Sequence, residues 1–429
     1  MSANGGGIVL TRIRTAIILA GGFGSRLRTE VSDVPKPMAP VAGKPFLEYL
    51  LHYLEYYGFR EVVLSTGHLS EVISGHFGPT FGNIKLTYAV EDVPLGTGGA
   101  IRYAFKHTDA ERSLVLNGDT FFDVDLWRVM KAAAEMEDDE ALMVLRQMTT
   151  PDRYGTVLLE EDRVSQFFEK KPGLSEGLIN TGMYVLNRGD LLEFPEGEPF
   201  SIEENYFKPM AAEGKLLGVR LDGYFIDIGI PEDYHRAQSW FEAFDYADKS
   251  DLQFIINNVD EEWTLFLDRD GVINKRLDND YVKSIGEFEF LPGVIDALRQ
   301  LAAFFERIIV VTNQQGIGKG VMTERDLFLV HEYMLAEVFN NGGRIDAVYH
   351  CPDVAEDDPP CRKPNTGMAF EARERFPEID FKKSIMLGDS ESDMEFAKRL
   401  GMVGVYVGRD DRFRCVSSLK AFADKFIVI

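Results

Sequence analysis

Short, nearly unbroken apolar runs alternate along this chain with longer stretches in which apolar residues recur every three or four positions. The first pattern predicts strands buried on both faces, the second amphipathic helices. "TAIILAGG" (15–22) reads as a buried strand entering a Gly-rich turn, and "EVVLST" (61–66) as another strand. Between them, "PFLEYLLHYLEYYG" (45–58) has helical spacing and a glycine stop. "EDVPLGTGGAI" (91–101) reads as a Gly-rich loop opening a helix, and "SLVLNGDTFF" (113–122) as a strand followed by a loop. Around 242–262 the pattern weakens and acids accumulate. Then the rhythm resumes: "WTLFLDRDG" (263–271) is a strand ending in acids, "GVIDALRQLAAFFE" (293–306) a helix, "RIIVVTNQQG" (307–316) a strand and turn, and "KSIMLGDSESD" (383–393) a strand into an acidic loop. Strands alternating with helices predict parallel-type sheets with crossover helices. There is no internal repeat. The expected organisation is a flexible 1–14, a first α/β domain over 15–248, a linker over 249–262 and a second α/β domain over 263–429.

The bulk numbers agree and exclude some classes. The 429 residues are too many for one ordinary domain. A net charge of −24 argues against nucleic acid as a partner. The apolar runs are too short to span a bilayer, so no membrane partner is expected. The first residues lack the charged start and long apolar run of a leader. Three cysteines make no disulfide framework, which points to a reducing cytoplasm.

An acidic protein binds phosphates only through local donors, and the opening loop supplies them. Gly21, Gly22 and Gly24 let backbone N–H groups wrap an anion. Arg26 adds a planar cation, and Lys36 stands between Pro35 and Pro37. Further on come Gly96 and Thr97 in the second Gly-rich loop, Asp119 in "NGD", Glu169 with Lys170 or Lys171 in "EKKP", Asn180 and Gly182 in "NTG", and Asp227 in "DIGIPEDY". In this order the motifs resemble the sugar-1-phosphate nucleotidyltransferases over residues 15 to about 240. "VSDVPKPMAPVAGKPFLEYLL" and "NGDTFFDVDL" look most like the guanylyltransferases of heptose phosphates. The resemblance implies a Rossmann-like domain with a mixed sheet and a displacement reaction. A sugar 1-phosphate attacks the α-phosphorus of a nucleoside triphosphate, GTP in that group, and pyrophosphate leaves. Arg26 and Lys36 would neutralise the triphosphate, and Asp119 and Asp227 would hold Mg²⁺. Lys170 would position the sugar phosphate, Glu169 and Asn180 would read hydroxyls, and Gly21, Gly96 and Thr97 would meet base and ribose.

In the second half, Asp268 and Asp270 end a strand one residue apart, and carboxylates this close call for a cation. No EF-hand glutamate pattern follows. Thr312 and Asn313 in "TNQQG", Arg362 and Lys363 in "CRKP", and Asp389 and Asp393 in "GDSESD" come after them. All four motifs of the haloacid-dehalogenase-type phosphatases are thus present in order, and residues 263 to about 425 resemble that superfamily. The resemblance implies a Rossmannoid domain in which Asp268 attacks phosphorus and Asp270 is the general acid and base. Thr312 and Lys363 would hold the phosphoryl oxygens, with Asn313 and Arg362 on the substrate side. Asp268, Asp389 and the carbonyl of Asp270 would hold Mg²⁺, and Asp393 would support them from behind. The short spacings leave no room for a cap domain, so loops 274–284 and 350–362 shape the site. "TNQQGIGKG" and "CRKPNTGM" look like the heptose-bisphosphate phosphatases and related histidinol-phosphatases.

Members of that group often carry a zinc loop, but in "HCPDVAEDDPPCRKP" Asp353 and Pro359 stand where two ligands belong. A structural zinc takes four ligands, mostly Cys and His, so zinc is not expected. Cys351 and Cys361 read as plain loop thiols and Cys415 as a small buried residue. Together the resemblances imply a bifunctional enzyme. One half dephosphorylates a heptose 1,7-bisphosphate, and the other activates the heptose 1-phosphate with GTP. Open beside it are another sugar 1-phosphate such as mannose with a different phosphatase substrate, and a nucleotide-sugar-sensing regulatory protein. The motifs leave the oligomeric state open, a homo-oligomer included.

Overall fold

The computed structural model describes residues 13–21, 34–67, 69–151, 153–168, 175–242, 251–277 and 280–426. The chain divides into two compact units, Met1–Lys249 and Ser250–Val428.

Among the described residues the first unit is built on a ten-stranded mixed sheet. Its parallel half runs Arg112–Asn117, Thr15–Leu19, Glu61–Thr66, Ile84–Val90. The long strand Glu176–Asn187 joins Arg112–Asn117 antiparallel and leads into four further strands, while Thr80–Phe81 closes the opposite edge antiparallel to Ile84–Val90. The apolar runs are unbroken because both faces are covered. Ala16 and Ile18 face one core with Leu50 and Tyr53 of helix Phe46–Tyr56. Ile17, between them, faces the other with Ile101 and Ala104 of helix Gly96–Phe105. "TFF" (120–122), expected as loop, lies in the strand Thr120–Asp123, which pairs antiparallel with Tyr224–Asp227. Its two buried phenylalanines are adjacent, so four residues carry no period-two signal to set them apart from a turn.

Among the described residues the second unit carries a six-stranded sheet, ordered Ala347–Cys351, Arg307–Asn313, Thr264–Leu267, Ser384–Gly388, Val403–Val407, Cys415–Val416. Every pairing is parallel. Residue alternation again divides two cores: Leu265 and Leu267 pack in one, Phe266 in the other. After Thr264–Leu267 the chain adds strands on one side, then returns to its other side with Ser384–Gly388. Such a switch point opens a crevice beyond the carboxyl ends of the central strands. Among the described residues no domain is inserted between Asp268 and Thr312; the interval holds loops, a 3-10 turn, helix Val294–Leu301 and the start of strand Arg307–Asn313. That helix stops short of the expected 306.

Two expectations are corrected here. Residues 252–257, assigned to a linker, form the helix Leu252–Asn257, capped by Asp251, and Leu252, Ile255 and Ile256 join the second core. The flanking acids hid an apolar face. Cys415 is half-exposed rather than buried, because its short strand is the sheet edge. Residues 1–12 lie outside the described residues. Phe266 is fully buried on the central strand, so Phe266→Ala is expected to cost about 3–5 kcal/mol. The check is a denaturant titration of the second unit's transition, and a cost below about 1 kcal/mol would refute the packing argument.

Candidate functional sites

In the first unit, chain geometry brings two distant carboxylates together. Asp119 follows the strand Arg112–Asn117, and Asp227 ends the strand Tyr224–Asp227, which pairs with Thr120 in register. Lys36, in the turn Lys36–Met38, points its Nζ at both: it bonds Asp119 Oδ2 and lies 3.6 Å from Asp227 Oδ1. Gly118 permits this approach, since a Cβ there would meet Leu19 O at 2.6 Å. Burial and the charge of Asp119 raise the Asp227 pKa, against the opposing pull of Lys36 and the Gly229 N–H. Two carboxylates, oxygen donors only, one of them disfavoured as an anion, are a donor set suited to a hard divalent cation.

Two cavities meet at this centre. One, ≈ 780 Å³, is lined by Gly21, Lys36, Glu91, Gly96, Thr97 and Asp119 among others. The second, ≈ 630 Å³, includes Asp119, Arg153, Asn180, Gly182, Lys208 and Asp227. Asn117 and Asp119 belong to both walls. Gly96 has φ +72° and a Cβ there would strike Phe200 O at 2.6 Å; Thr97 Oγ1 accepts from Ile202 N at 2.9 Å. Asn180 Oδ1 accepts from Gly182 N, and its Nδ2 donates to Tyr184 Oη at 2.8 Å. Gly182 has φ +77° and a Cβ there would strike Asn117 Nδ2 at 2.2 Å. Gly22, Gly24, Arg26, Glu169, Lys170 and Lys171 lie outside the described residues. Sequence reading missed Arg153, which pairs with Asp233, and Glu91. The Glu91 carboxylate closes its own loop by accepting from Ser65 Oγ and Leu95 N.

In the second unit, Asp268, Thr312, Lys363 and Asp389 converge at the switch point. Lys363, 3% exposed, reaches Asp268 Oδ1 at 2.9 Å, Asp393 Oδ1 at 2.6 Å and Val311 O at 2.7 Å. Burial alone would lower the ammonium's pKa, but the two carboxylates outweigh it and raise it. The Asp268 carboxyl is raised by burial first, with Lys363 opposing and Asp393 and Asp270 adding to the rise. Oxygens of Asp268, Asp389 and Asp393 lie within 4.8 Å of one another, again an oxygen-only donor set fit for a hard cation. Asp393 also accepts from Ser390 N and Oγ, capping the helix Glu391–Leu400. Gly271, at φ +88°, leaves space for Asp389, whose Oδ2 would be 2.0 Å from a Cβ.

Asp270 is held differently. Its two oxygens accept from Arg269 Nη2 at 2.9 Å each, from Asn274 Nδ2 at 2.9 Å and from Gln314 Nε2 at 2.8 Å. Burial would raise its pKa, but Arg269 and these donors outweigh it and the carboxyl is lowered. Gln314 also donates to Thr312 Oγ1 at 2.8 Å. Asn313 spends its amide on the main chain of Lys363, accepting from N at 3.0 Å and donating to O at 3.1 Å. Arg362 reaches Asp353 O at 3.5 Å, and Arg276 of the 274–284 loop lies 3.2 Å from Asp389. The reading of Cys351 and Cys361 as plain thiols is corrected. The loop doubles back, bringing their Cα atoms to 5.3 Å, and the sulphurs are bonded. Arg269, His331 and Gln314 were not singled out from the sequence.

The family profile described as nucleotidyl transferase matches residues 15–243, and a HAD-hydrolase-like profile matches 360–418. The chain is 44% identical over 229 residues to the D-glycero-alpha-D-manno-heptose 1-phosphate guanylyltransferase of Aneurinibacillus thermoaerophilus, covering 53% of this chain and 99% of that one. The Campylobacter jejuni protein of the same name is 43% identical over 221 residues, with 52% and 97% covered. The second half is 40% identical over 143 residues to the D-glycero-alpha-D-manno-heptose-1,7-bisphosphate 7-phosphatase of Mycobacterium bovis, covering 33% of this chain and 75% of that one. The strand-end acids, the shared cavities and these matches agree: the chain belongs to the nucleotidyl transferase family through its first unit, and its second unit is a haloacid-dehalogenase-type phosphatase.

Proposed function

We propose that this bifunctional enzyme catalyses two consecutive steps. The second unit removes the C7 phosphate of D-glycero-D-manno-heptose 1,7-bisphosphate. The first then transfers GMP from GTP to the heptose 1-phosphate, giving GDP-heptose and pyrophosphate. One observation carries this reading. The relatives matched by the two halves act, by name, on a bisphosphate and on a 1-phosphate of the same sugar, so the product of one half is the substrate of the other. Use of GTP fits work in the cytoplasm. Among the described residues no helix is long and apolar enough to cross a membrane.

In the phosphatase unit, Asp268 attacks phosphorus and the bond to the sugar oxygen breaks, leaving an aspartyl-phosphate. Asp270, which Arg269 and its other donors hold as a carboxylate in the free enzyme, takes up a proton as the phosphate dianion binds beside it, gives that proton to the sugar oxygen, then takes one from the water that attacks the aspartyl-phosphate, and orthophosphate leaves. Lys363, fixed by Asn313 and Asp393, holds phosphoryl oxygens with Thr312, and Arg362 lies on the substrate side. In the transferase unit, a sugar-phosphate oxygen attacks the α-phosphorus and pyrophosphate departs. The charge building on its oxygens is met by Lys36 and Arg26. The cavity of Gly21, Gly96 and Thr97 takes the nucleotide, and that of Asn180, Gly182 and Arg153 the sugar phosphate, with Glu169 and Lys170 from the same motif order. Asp119 and Asp227 in one unit, and Asp268, Asp389 and the Asp270 carbonyl in the other, would hold Mg²⁺. When bound, it supplies neutralisation of phosphate charge.

The experiment is a coupled assay of the intact chain with the bisphosphate, Mg²⁺ and each nucleoside triphosphate in turn, following orthophosphate and pyrophosphate separately. The expected outcome is orthophosphate in every tube and pyrophosphate only with GTP. The absence of both products would remove the heptose assignment. Asp268→Asn is expected to lower orthophosphate release at least about 10³-fold while sparing pyrophosphate release from supplied heptose 1-phosphate. Asp119→Ala is expected to do the reverse, and a variant that lowers both products equally would refute the separation of sites.

A pH dependence follows from the raised Asp268 carboxyl. Its neutral form is favoured by folding, so the stability it contributes is present below the unfolded value of about 3.9 and is lost as pH rises through the raised folded value. A cation that binds the carboxylate form offsets that loss. Mg²⁺ is therefore expected to raise the melting temperature of EDTA-treated protein more at about pH 8 than at about pH 5. An equal rise at both would contradict the assignment.

A further inference from the structure

We propose that His331 is a positioning residue for Asp270, acting through Arg269; the inference rests on the phosphatase reading of the second unit. Arg269, the residue between the two motif aspartates, is 0% exposed. Its Nη2 donates to both oxygens of Asp270 at 2.9 Å, and its Nη1 lies 3.1 Å from Nε2 of His331. His331 is a buried residue on the helix Glu324–Asn340.

A guanidinium has donors only, so this contact uses the lone pair of Nε2 and leaves the imidazole proton on Nδ1. The surroundings enforce the neutral ring. Burial first, then the charge of Arg269, then His350, push its pKa down to about 3. A guanidinium is flat and rigid, so fixing Nη1 fixes the plane and hence the place of Nη2. Asn274 and Gln314 then complete the cradle from two other directions.

A plainer account is that His331 merely satisfies a buried arginine. That account predicts that the fork would turn to satisfy as many donors as the site allows. It does not: Nε of Arg269 is buried with no partner among the described residues. The fork is aimed at Asp270 and His331 at the expense of its own third edge. His331 touches no reacting atom, and its effect runs wholly through where the Asp270 carboxyl stands.

Proton donation matters most for a poor leaving group, and this separates positioning from general stability. The test compares kcat/KM on p-nitrophenyl phosphate, whose leaving oxygen needs little protonation, with phenyl phosphate and the heptose bisphosphate, whose leaving oxygens need more. In the full-length chain, His331→Leu is expected to leave p-nitrophenyl phosphate within about twofold and to lower the other two by about tenfold or more. His331→Gln, which keeps an acceptor, is expected to restore the wild-type ratio. Arg269→Lys keeps the charge and loses the fork, so it is expected to shift the ratio as His331→Leu does. It also decides the matter if His331→Leu does not fold. Equal losses on all three substrates, or an unchanged ratio in the acceptor-less or fork-less variant, would overturn the inference. A wild-type chain that hydrolyses p-nitrophenyl and phenyl phosphate but not the bisphosphate removes only the sugar assignment. One that hydrolyses none of the three sinks the phosphatase reading, and this inference with it.

Discussion

Buried like charge is the constraint on which the second unit depends. The architecture delivers Asp268, Asp389 and Asp393 to one small volume at the strand ends. Carboxylates so close, with little water, raise one another's cost of ionisation. Lys363 offsets that cost, and much of the surrounding structure serves to keep it in place. Asn313 grips its main chain on both sides, and Val311 O takes a third contact from its ammonium. Removing one member of such a buried set leaves the others uncompensated, which costs more than the pair was worth. The first unit solves the same problem with less enclosure: Lys36 stands between two carboxylates that remain about a third exposed.

The sheets explain why these groups can be brought together at all. Each central strand is covered on both faces, so its side chains are committed to packing. Only the residues just past its carboxyl end are free for chemistry. Asp119, Asp268 and Asp389 all stand one residue or two beyond such an end, and Thr312 within the last two residues of one. Glycine enters where backbone and side chain come too close for a Cβ, at Gly118 beneath Asp119 and at Gly271 beneath Asp389.

Much of this was legible in the sequence, because the acids and glycines lie in contiguous motifs attached to apolar runs. The doubly covered strands "TAIIL", "TLFL" and "SIMLG" declare themselves by composition alone. What was not legible depends on direction or on distance. Arg269 sits inside the most recognisable motif, yet nothing in the spelling says that its side chain turns inward. His331 lies 62 residues further on, on a helix where an apolar flank also reads as ordinary core. The helix Leu252–Asn257 was obscured because a short apolar face between acids looks like a solvated connector. The convergence of Cys351 and Cys361 was hidden in a loop path that no periodicity describes.

The common wall of the two cavities in the first unit has a thermodynamic corollary. Asn117 and Asp119 line both, so a ligand filling one changes the field and the freedom of groups that the other ligand meets. Two occupants that share a carboxylate do not bind as independent events. On the proposed assignment of the two cavities, whatever factor the nucleotide imposes on the affinity for the sugar phosphate, the sugar phosphate returns the same factor to the nucleotide. Order of addition then becomes a matter of concentrations and rates, and the free energy of the ternary state is the same by either route.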